Sequence, residues 1–505
     1  MSTTRSQELA GQSIMFRFHG PVFTDEAREA FRSIRPAGVL FFADNLTSRE
    51  QIRALTEELQ AEAKAIGIPP LLIAADQEGG IVSRLPPDMV TPPGGMALGH
   101  LPPEDIEEMS RVTARQLHEV GINVNFAPTV DVNNNPNNPV IRTRAFGERP
   151  EVVSRAAIAF IHGHIHEDVV PTVKHFPGHG DTSIDSHLGL PIIDQPIERL
   201  HNVELAPFQA SIDAGVPAVM SAHIIFPALD EHPATLSHRI LTGLLREEMG
   251  FRGLIFTDSM SMDAISKRYG HAASTVQAKA AGVDVLESNE SPALLVERHH
   301  ALVAALEDGT LSPDLFEVTE ARLNRVREQF HIGDLPEFGD PNPALRDIAR
   351  AVAARSIIAL NGTFESIDAS GKTVVIDFNR LRHIEFGDPF NLPGILRKGI
   401  GERIPNATVI TLSHEPKAEE IDAAMNAVGG ADTLVLLTRD ATDHTYQVEI
   451  GKKLIARADA NRVIHVALRG PYDAGIFGDV DDTLLTYGDP AVTVQALVDI
   501  LASGI

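Results

Sequence analysis

From Ser13 onward, short apolar runs alternate with longer stretches whose apolar positions recur at the helical period. The runs Ile14–Phe18, Val39–Phe42, Leu71–Ala75, Val124–Ala127, Val169–Val173, Ala218–Ser221, Gly253–Thr257 and Val283–Leu286 predict strands. The stretches Asp25–Ile34, Gln51–Ile66, Asp105–Val120, Val152–His166, Ile197–Ala214, Leu241–Met249, Ala272–Ala281, Leu294–Leu306 and Leu315–Phe330 predict helices. About eight such alternations over roughly three hundred residues suit a (β/α)8 TIM-like barrel. Polar, Gly-bearing clusters follow the third, fourth, fifth and seventh runs. Those are C-terminal strand ends, the face where such barrels place their chemistry. An open doubly wound sheet would gather its site at one or two switch points instead.

A stretch rich in Gly, Pro, Asp and Glu, Gly333–Pro343, reads as a linker. Beyond it a second alternation begins. Thr373–Phe378, Thr408–Leu412, Thr433–Leu437, Val463–Leu468 and Thr483–Thr486 predict strands; Ile421–Ala427, Gln447–Ala458 and Val492–Leu501 predict helices. The expected organisation is an α/β chain: a barrel domain over 1–332, a linker over 333–345, and a smaller three-layer α/β sandwich domain over 346–505. No phosphate-cradling Gly-rich loop stands out in the second part. The length, 505 residues, also asks for more than one core.

Composition narrows the function classes. With no Cys, the chain has neither a disulfide framework nor thiolate chemistry. The formal net charge of −26 repels phosphate backbones and anionic membrane surfaces, so nucleic-acid and membrane partners are not expected. The first twelve residues carry no apolar signal core, and no apolar run is long enough to span a bilayer. The expectation is a cytoplasmic enzyme acting on a small molecule.

The densest chemistry lies in Lys174-His-Phe-Pro-Gly-His-Gly-Asp-Thr-Ser-Ile-Asp-Ser-His-Leu-Gly-Leu-Pro191, read as a long loop after the fifth strand. Within it, Asp185 and His187 lie two apart, so in an extended segment the carboxylate reaches the imidazole. Such a pair orients the ring and leaves its other nitrogen to exchange a proton near neutral pH. Loop capping is the plainer reading of an isolated Asp-x-His. A zinc site on His175, His179, Asp181 and His187 is a weaker reading, because Pro177 and Gly178 break any helical ligand spacing. No metal or other cofactor is expected.

Three further groups stand out. Asp258 follows an apolar strand directly and suits a nucleophile or base, although Asp is also a preferred helix cap. Asp76-Gln77-Glu78-Gly79-Gly80, with Arg84 nearby, joins hydroxyl-binding side chains to a Gly pair that lets backbone approach a ligand. Arg144 follows Asn133-Asn-Asn-Pro-Asn-Asn-Pro139 and is a surface ion-pair partner or a ligand clamp. Together they suit a neutral, hydroxyl-rich molecule. A retaining glycosidase needs one carboxylate nucleophile and one proton donor–acceptor, and Asp258 with Asp185–His187 would supply both.

The motifs Lys174–Thr182 and Asp185-Ser-His187 resemble the signature of family 3 glycoside hydrolases acting on β-N-acetylglucosaminides. Asp76–Gly80, Asn134–Gly147, Pro233–Ser237 and Gly250–Asp258 match that family in its own order. The resemblance implies retention of configuration through a covalent glycosyl intermediate on Asp258, with His187 as acid/base assisted by Asp185. It places sugar contacts on Asp76, Arg84, Arg144, Lys174 and His175. It implies an exo-β-N-acetylglucosaminidase acting on small GlcNAc-terminated glycans, either peptidoglycan fragments or chitin oligosaccharides. Two departures are Ile81, where many members have Arg, and Arg142, where many have Gly. A neutral imidazole acid/base does not repel an anion as a carboxylate does, so phosphorolysis to GlcNAc 1-phosphate is the alternative outcome. Oligomeric state is not legible.

Overall fold

The computed structural model describes residues 4–183, 189–379 and 392–505, and the chain divides into two compact units. The first comprises Met1–Glu78, Arg84–Met89 and Pro102–Pro341; the second comprises Gly79–Ser83, Val90–Leu101 and Asn342–Ile505. Among the described residues, no helix is long and apolar enough to cross a membrane.

In the first unit a curled parallel sheet runs in the order β1 (Met15–Phe16), β2 (Gly38–Phe41), β3 (Leu72–Ala75), β4 (Val124–Asn125), β5 (Val170–Phe176) and β6 (Ala218–Ser221). After β6 comes a short antiparallel hairpin, β7 (Ile225–Phe226) and β8 (Asp230–Pro233), and then β9 (Leu254–Thr257), which pairs with β6. The hairpin has no counterpart in the apolar pattern, because β8, Asp-Glu-His-Pro, is polar over its first three residues. The expected eighth strand, Val283–Leu286, forms single bridges instead. Val285 pairs with Phe256 on one side and Leu286 with Ile14 on the other, joining the two sheet edges.

Helices lie between the strands, and their starts follow ordinary capping chemistry. Thr24 and Ser48 accept from the backbone N–H of Ala27 and Gln51, opening helices Asp25–Ile34 and Arg49–Ala65. Pro stands in the first turn of Pro103–Glu119 and of Pro150–His166, where its missing N–H leaves nothing unsatisfied. The expected helix Ile197–Ala214 is two helices, Ile197–Asn202 and Ala206–Asp213. Pro207, in the first turn of the second, suits a new start better than a helix interior.

Alternate residues of the parallel strands fill the interior. Leu72 and Ala74, Val124 and Phe126, Val170, Ala218 and Met220, Leu254 and Phe256, and Val285 share one core cluster. Because side chains repeat every two residues along a strand, the next inward positions at the C-terminal ends include Asp76, Lys174, Asp258 and Glu287. The same alternation that buries the core thus carries polar groups to its upper rim.

The second unit holds a sheet in the order β10 (Ile358–Ala359), β15 (Asp482–Leu485), β14 (Arg462–Ala467), β13 (Thr433–Thr438), β11 (Thr373–Phe378) and β12 (Ala407–Leu412). All pairings are parallel except that of the edge strand β10. Val374, Ile376, Leu434 and Leu436 pack with Ala424, Ile450 and Leu454 from helices Ala418–Ala427 and Tyr446–Ala458. Helix Pro343–Ser356 starts inside the stretch read as linker. Gly79 and Gly80 have φ of +90° and +57° and fit tightly against the 92–94 backbone; a Cβ on Gly80 would lie 2.6 Å from Gly94 Cα. This close packing against the chain itself, with both φ values positive, accounts for a Gly pair here.

Candidate active site

The strand β5 is longer than its sequence suggests. It continues through Lys174, His175 and Phe176, so the stretch read as loop from Lys174 starts as strand. Lys174 is therefore an inward strand residue with a defined direction. Its buried ammonium donates to Asp76 Oδ1 at 2.6 Å and sits 2.7 Å from Glu78 Oε1. The peptide bonds Lys174–His175 and Phe176–Pro177 are cis.

Glu78 takes a second cation. Arg144 Nε and Nη2 donate to its two oxygens at 2.9 and 2.8 Å, a bidentate pair. Burial alone would raise the Glu78 carboxyl, but Arg144 and Lys174 outweigh it and hold the group well below the usual carboxylate range. Arg144 and Lys174 are raised in turn, against the effect of burial, by Glu78 and by Glu78 with Asp76 respectively. Of the two readings of Arg144, an ion pair is what the structure contains, but the pair is buried at the strand ends and not on the surface. Arg84 Nη2 approaches Asp76 Oδ2 at 3.9 Å, and burial lowers its guanidinium.

His175 is oriented by a fully buried carboxylate. Asp131 Oδ2 lies 2.7 Å from His175 Nδ1, while Asp131 Oδ1 accepts the backbone N–H of His179 at 2.6 Å. Arg144 Nη2 faces His175 Nε2 at 3.4 Å. Burial raises Asp131, but His175 more than offsets it and keeps the carboxyl low. His179 is pushed down to about 4, first by burial and then by His175, and its Nδ1 meets Thr182 Oγ1 at 2.9 Å. Among the described residues, no group of three or more side chains is arranged to hold a metal ion.

The Asn-rich segment braces this loop. Asn138 Nδ2 donates to the carbonyls of His179 and Gly180 at 2.8 and 2.9 Å, and its Oδ1 accepts the N–H of Val140 and Ile141. Asn135 donates to the Thr182 carbonyl. Gly180 passes so close that a Cβ would lie 1.6 Å from the Val132 carbonyl oxygen. Arg142 belongs to this brace, with its N–H on Asn133 Oδ1 and its Nε on the Asn138 carbonyl.

Asp258 stands immediately after β9, half-buried, and its Oδ1 accepts the backbone N–H of Ser259 at 2.7 Å. Glu287 is the next inward residue after bridged Val285, as Asp258 is after Phe256. It is buried, and burial followed by the charges of Asp258 and Asp76 raises its carboxyl well above the ordinary value. The two-residue alternation places Asp76, Asp258 and Glu287 alike at inward positions of the strand ends.

The structure thus brings together Asp76, Arg84, Arg144, Lys174 and His175, with Asp258 on the same rim. Asp185 and His187 lie outside the described residues. Glu78, Asp131 and Glu287 were not singled out as site residues in the sequence. Glu287 had a usable signal: like Asp258, it is a carboxylate directly after an apolar strand run. Asp131 had none, since its partners come from β5 and the loop beyond it.

Residues 7–326 match the glycosyl hydrolase family 3 N-terminal domain. The chain is 30% identical over 501 residues to β-hexosaminidase A of Pseudoalteromonas piscicida, covering 89% of this chain and 82% of that protein. It is similar in structure to a family 3 β-N-acetylglucosaminidase from Paenibacillus sp. FPU-7, with a TM-score of 0.93, 32% identity, and coverage of 99% and 97% of the two chains. A β-glucoside phosphorylase, BglX, shares the fold at a TM-score of 0.80 and 20% identity, covering 99% of this chain and 92% of its own.

Proposed function

The chain belongs to glycosyl hydrolase family 3 and is a β-hexosaminidase-type glycoside hydrolase, and from that premise we propose a retaining exo-β-N-acetylglucosaminidase with a covalent intermediate on Asp258. The observation that carries this reading is the convergence, on one rim of strand ends, of Asp258 with the Asp76–Lys174–Glu78–Arg144 ion-pair chain. That chain gives a neutral sugar a fixed row of donors and acceptors.

In the proposed reaction Asp258 attacks the anomeric carbon while His187, assisted by Asp185, protonates the departing glycosidic oxygen. Water then attacks the same carbon with His187 as base, restoring the Asp258 carboxylate and the configuration. The Ser259 N–H on Asp258 Oδ1 supports this, because it helps hold that carboxylate in place at the strand end. Asp76, Arg84, Arg144, Lys174 and His175 are the proposed contacts to the glycone. The proposed organisation is a catalytic barrel over 1–332, a linker over 333–345 and a three-layer α/β sandwich over 346–505. Small GlcNAc-terminated glycans in the cytoplasm, peptidoglycan fragments or chitin oligosaccharides, are the proposed substrates.

Water is favoured over phosphate as acceptor by the pairing of the site's cations. Arg144 is spent on Glu78, and Lys174 on both Asp76 and Glu78, so these two offer little charge to a dianion. Product analysis with an aryl β-GlcNAc substrate, with and without phosphate, tests this. Free GlcNAc with retained configuration at initial release, at a rate indifferent to phosphate, is expected. Dominant GlcNAc 1-phosphate would reverse the assignment of acceptor. Asp258→Asn and His187→Ala should each lose at least about a hundredfold in kcat/KM. An Asp258→Asn protein as active as wild type, free of deamidated material, would sink the covalent mechanism.

A further inference from the structure

Glu287 is a buried carboxyl that the proposed reaction does not use. It occupies the inward position after the bridged segment that follows β9, opposite Asp258 in the parallel register set by Phe256 and Val285. Its backbone is held on both sides: the N–H donates to Thr257 Oγ1 at 2.9 Å, and the carbonyl accepts from Met260. Ser259 gives its N–H to Asp258, and its hydroxyl is fixed in place as well. That hydroxyl is itself held by the Asn289 N–H and by Ser261. Yet Glu287 Oε1 is buried without any hydrogen-bond partner. An orphaned polar atom in so well-braced a place is expensive to keep unless a ligand satisfies it.

Resting on the glycosidase reading above, we propose that Glu287 is a specificity-determining residue of the site, its unpartnered Oε1 edge hydrogen-bonding a hydroxyl of the sugar seated against Asp258. The charged groups facing it are Asp258 beyond β9, Asp76 beyond β3 and Arg17 beyond β1. Arg17 is already paired with Asp44 at 2.9 Å, so burial and two carboxylates prevail and raise the Glu287 carboxyl well above its ordinary value. In its protonated form the carboxyl offers the sugar one O–H donor and adds no third negative charge beside the nucleophile. Ionisation at higher pH removes that donor and places a like charge next to Asp258.

The test compares wild type, Glu287→Gln and Glu287→Leu on an aryl β-GlcNAc substrate, with kcat and KM measured separately across pH. Glu287→Leu should lose roughly tenfold or more in kcat/KM, since the hydroxyl contact goes. Glu287→Gln keeps an N–H donor in place and should recover part of that loss. The pH profile of kcat/KM should change in Glu287→Gln, whose side chain cannot ionise. A well-folded Glu287→Leu with wild-type kcat/KM throughout overturns the inference. If Glu287→Leu does not fold, Glu287→Gln decides, and a wild-type kcat/KM with a pH profile coincident with wild type overturns it. Wild type inert on every β-GlcNAc substrate would instead overturn the glycosidase reading, and this inference with it.

Discussion

At Glu78 two cations converge on one buried carboxylate, and neither can be exchanged freely. Arg144 makes two parallel N–H bonds that a Lys ammonium cannot reproduce. Arg144→Ala leaves Glu78 buried with Lys174 alone, and breaking a buried pair in this way costs about 3–5 kcal/mol. We expect a lower Tm and a raised KM in Arg144→Ala, with Arg144→Lys failing to restore KM. Steady-state kinetics beside thermal melts check this. An Arg144→Lys protein with wild-type KM would mean that the bidentate geometry is dispensable. The sequence named Arg144 and Lys174 but could not join them, because 66 residues separate Glu78 from Arg144 and 98 separate Asp76 from Lys174.

Among the elements, the loop beyond β5 takes its shape from the Asn-rich segment beyond β4. The sequence makes Asn133–Pro139 turn chemistry, which is true of the backbone. It does not reveal that the Asn138 side chain then spans two loops with five hydrogen bonds. Asn138→Ala strands the Gly180 carbonyl and the Ile141 N–H, while the His179 carbonyl keeps Thr182 Oγ1, for a loss of about 2–4 kcal/mol. Amide exchange should rise at His179–Thr182 before it rises in the strands. Equal protection of that segment in wild type and Asn138→Ala would show that the brace is redundant. The strand β5 makes the same point about context. Its last residues, Lys174-His-Phe, carry two polar side chains before Pro177, so the apolar pattern stops early while the backbone pairing continues to Phe176.

For the whole molecule, the dominant physical fact is acidity, with 69 acidic against 43 basic residues. Several buried carboxylates are held below their ordinary values against the effect of burial: Glu78 by Arg144, Asp131 by His175, Asp284 by Arg246, and Asp489 by Arg469. A depressed folded pKa means that the unfolded chain binds more protons at acid pH. The stability these groups contribute is present above their unfolded values of 4.5 for Glu and 3.8 for Asp, and is lost as pH falls below them. Glu287 works in the opposite sense, favouring the folded state less as pH rises above 4.5 toward its raised value. Urea midpoints between pH 3 and 7 should therefore drop below about pH 4.5. A midpoint constant down to pH 3 would contradict the assigned ionisation of these pairs.

The sequence by itself determined the succession of strands and helices, because burial on a strand and on a helix imposes different periods that can be counted along the chain. It also determined which residue types were available for chemistry, and a specific run such as Lys174–Thr182 was enough to identify the family resemblance. Tertiary structure alone decided which charges neutralise which. It made Lys174 a strand residue between two carboxylates, turned the Gly79–Gly80 pair toward its own chain, and set Glu287 beside Asp258. It also joined the sheet edges through single bridges at Val285 and Leu286 instead of a full eighth strand. Periodicity is a local property of the chain. Electrostatic pairing and edge closure depend on distances between segments far apart in sequence, and only folding brings those distances into being.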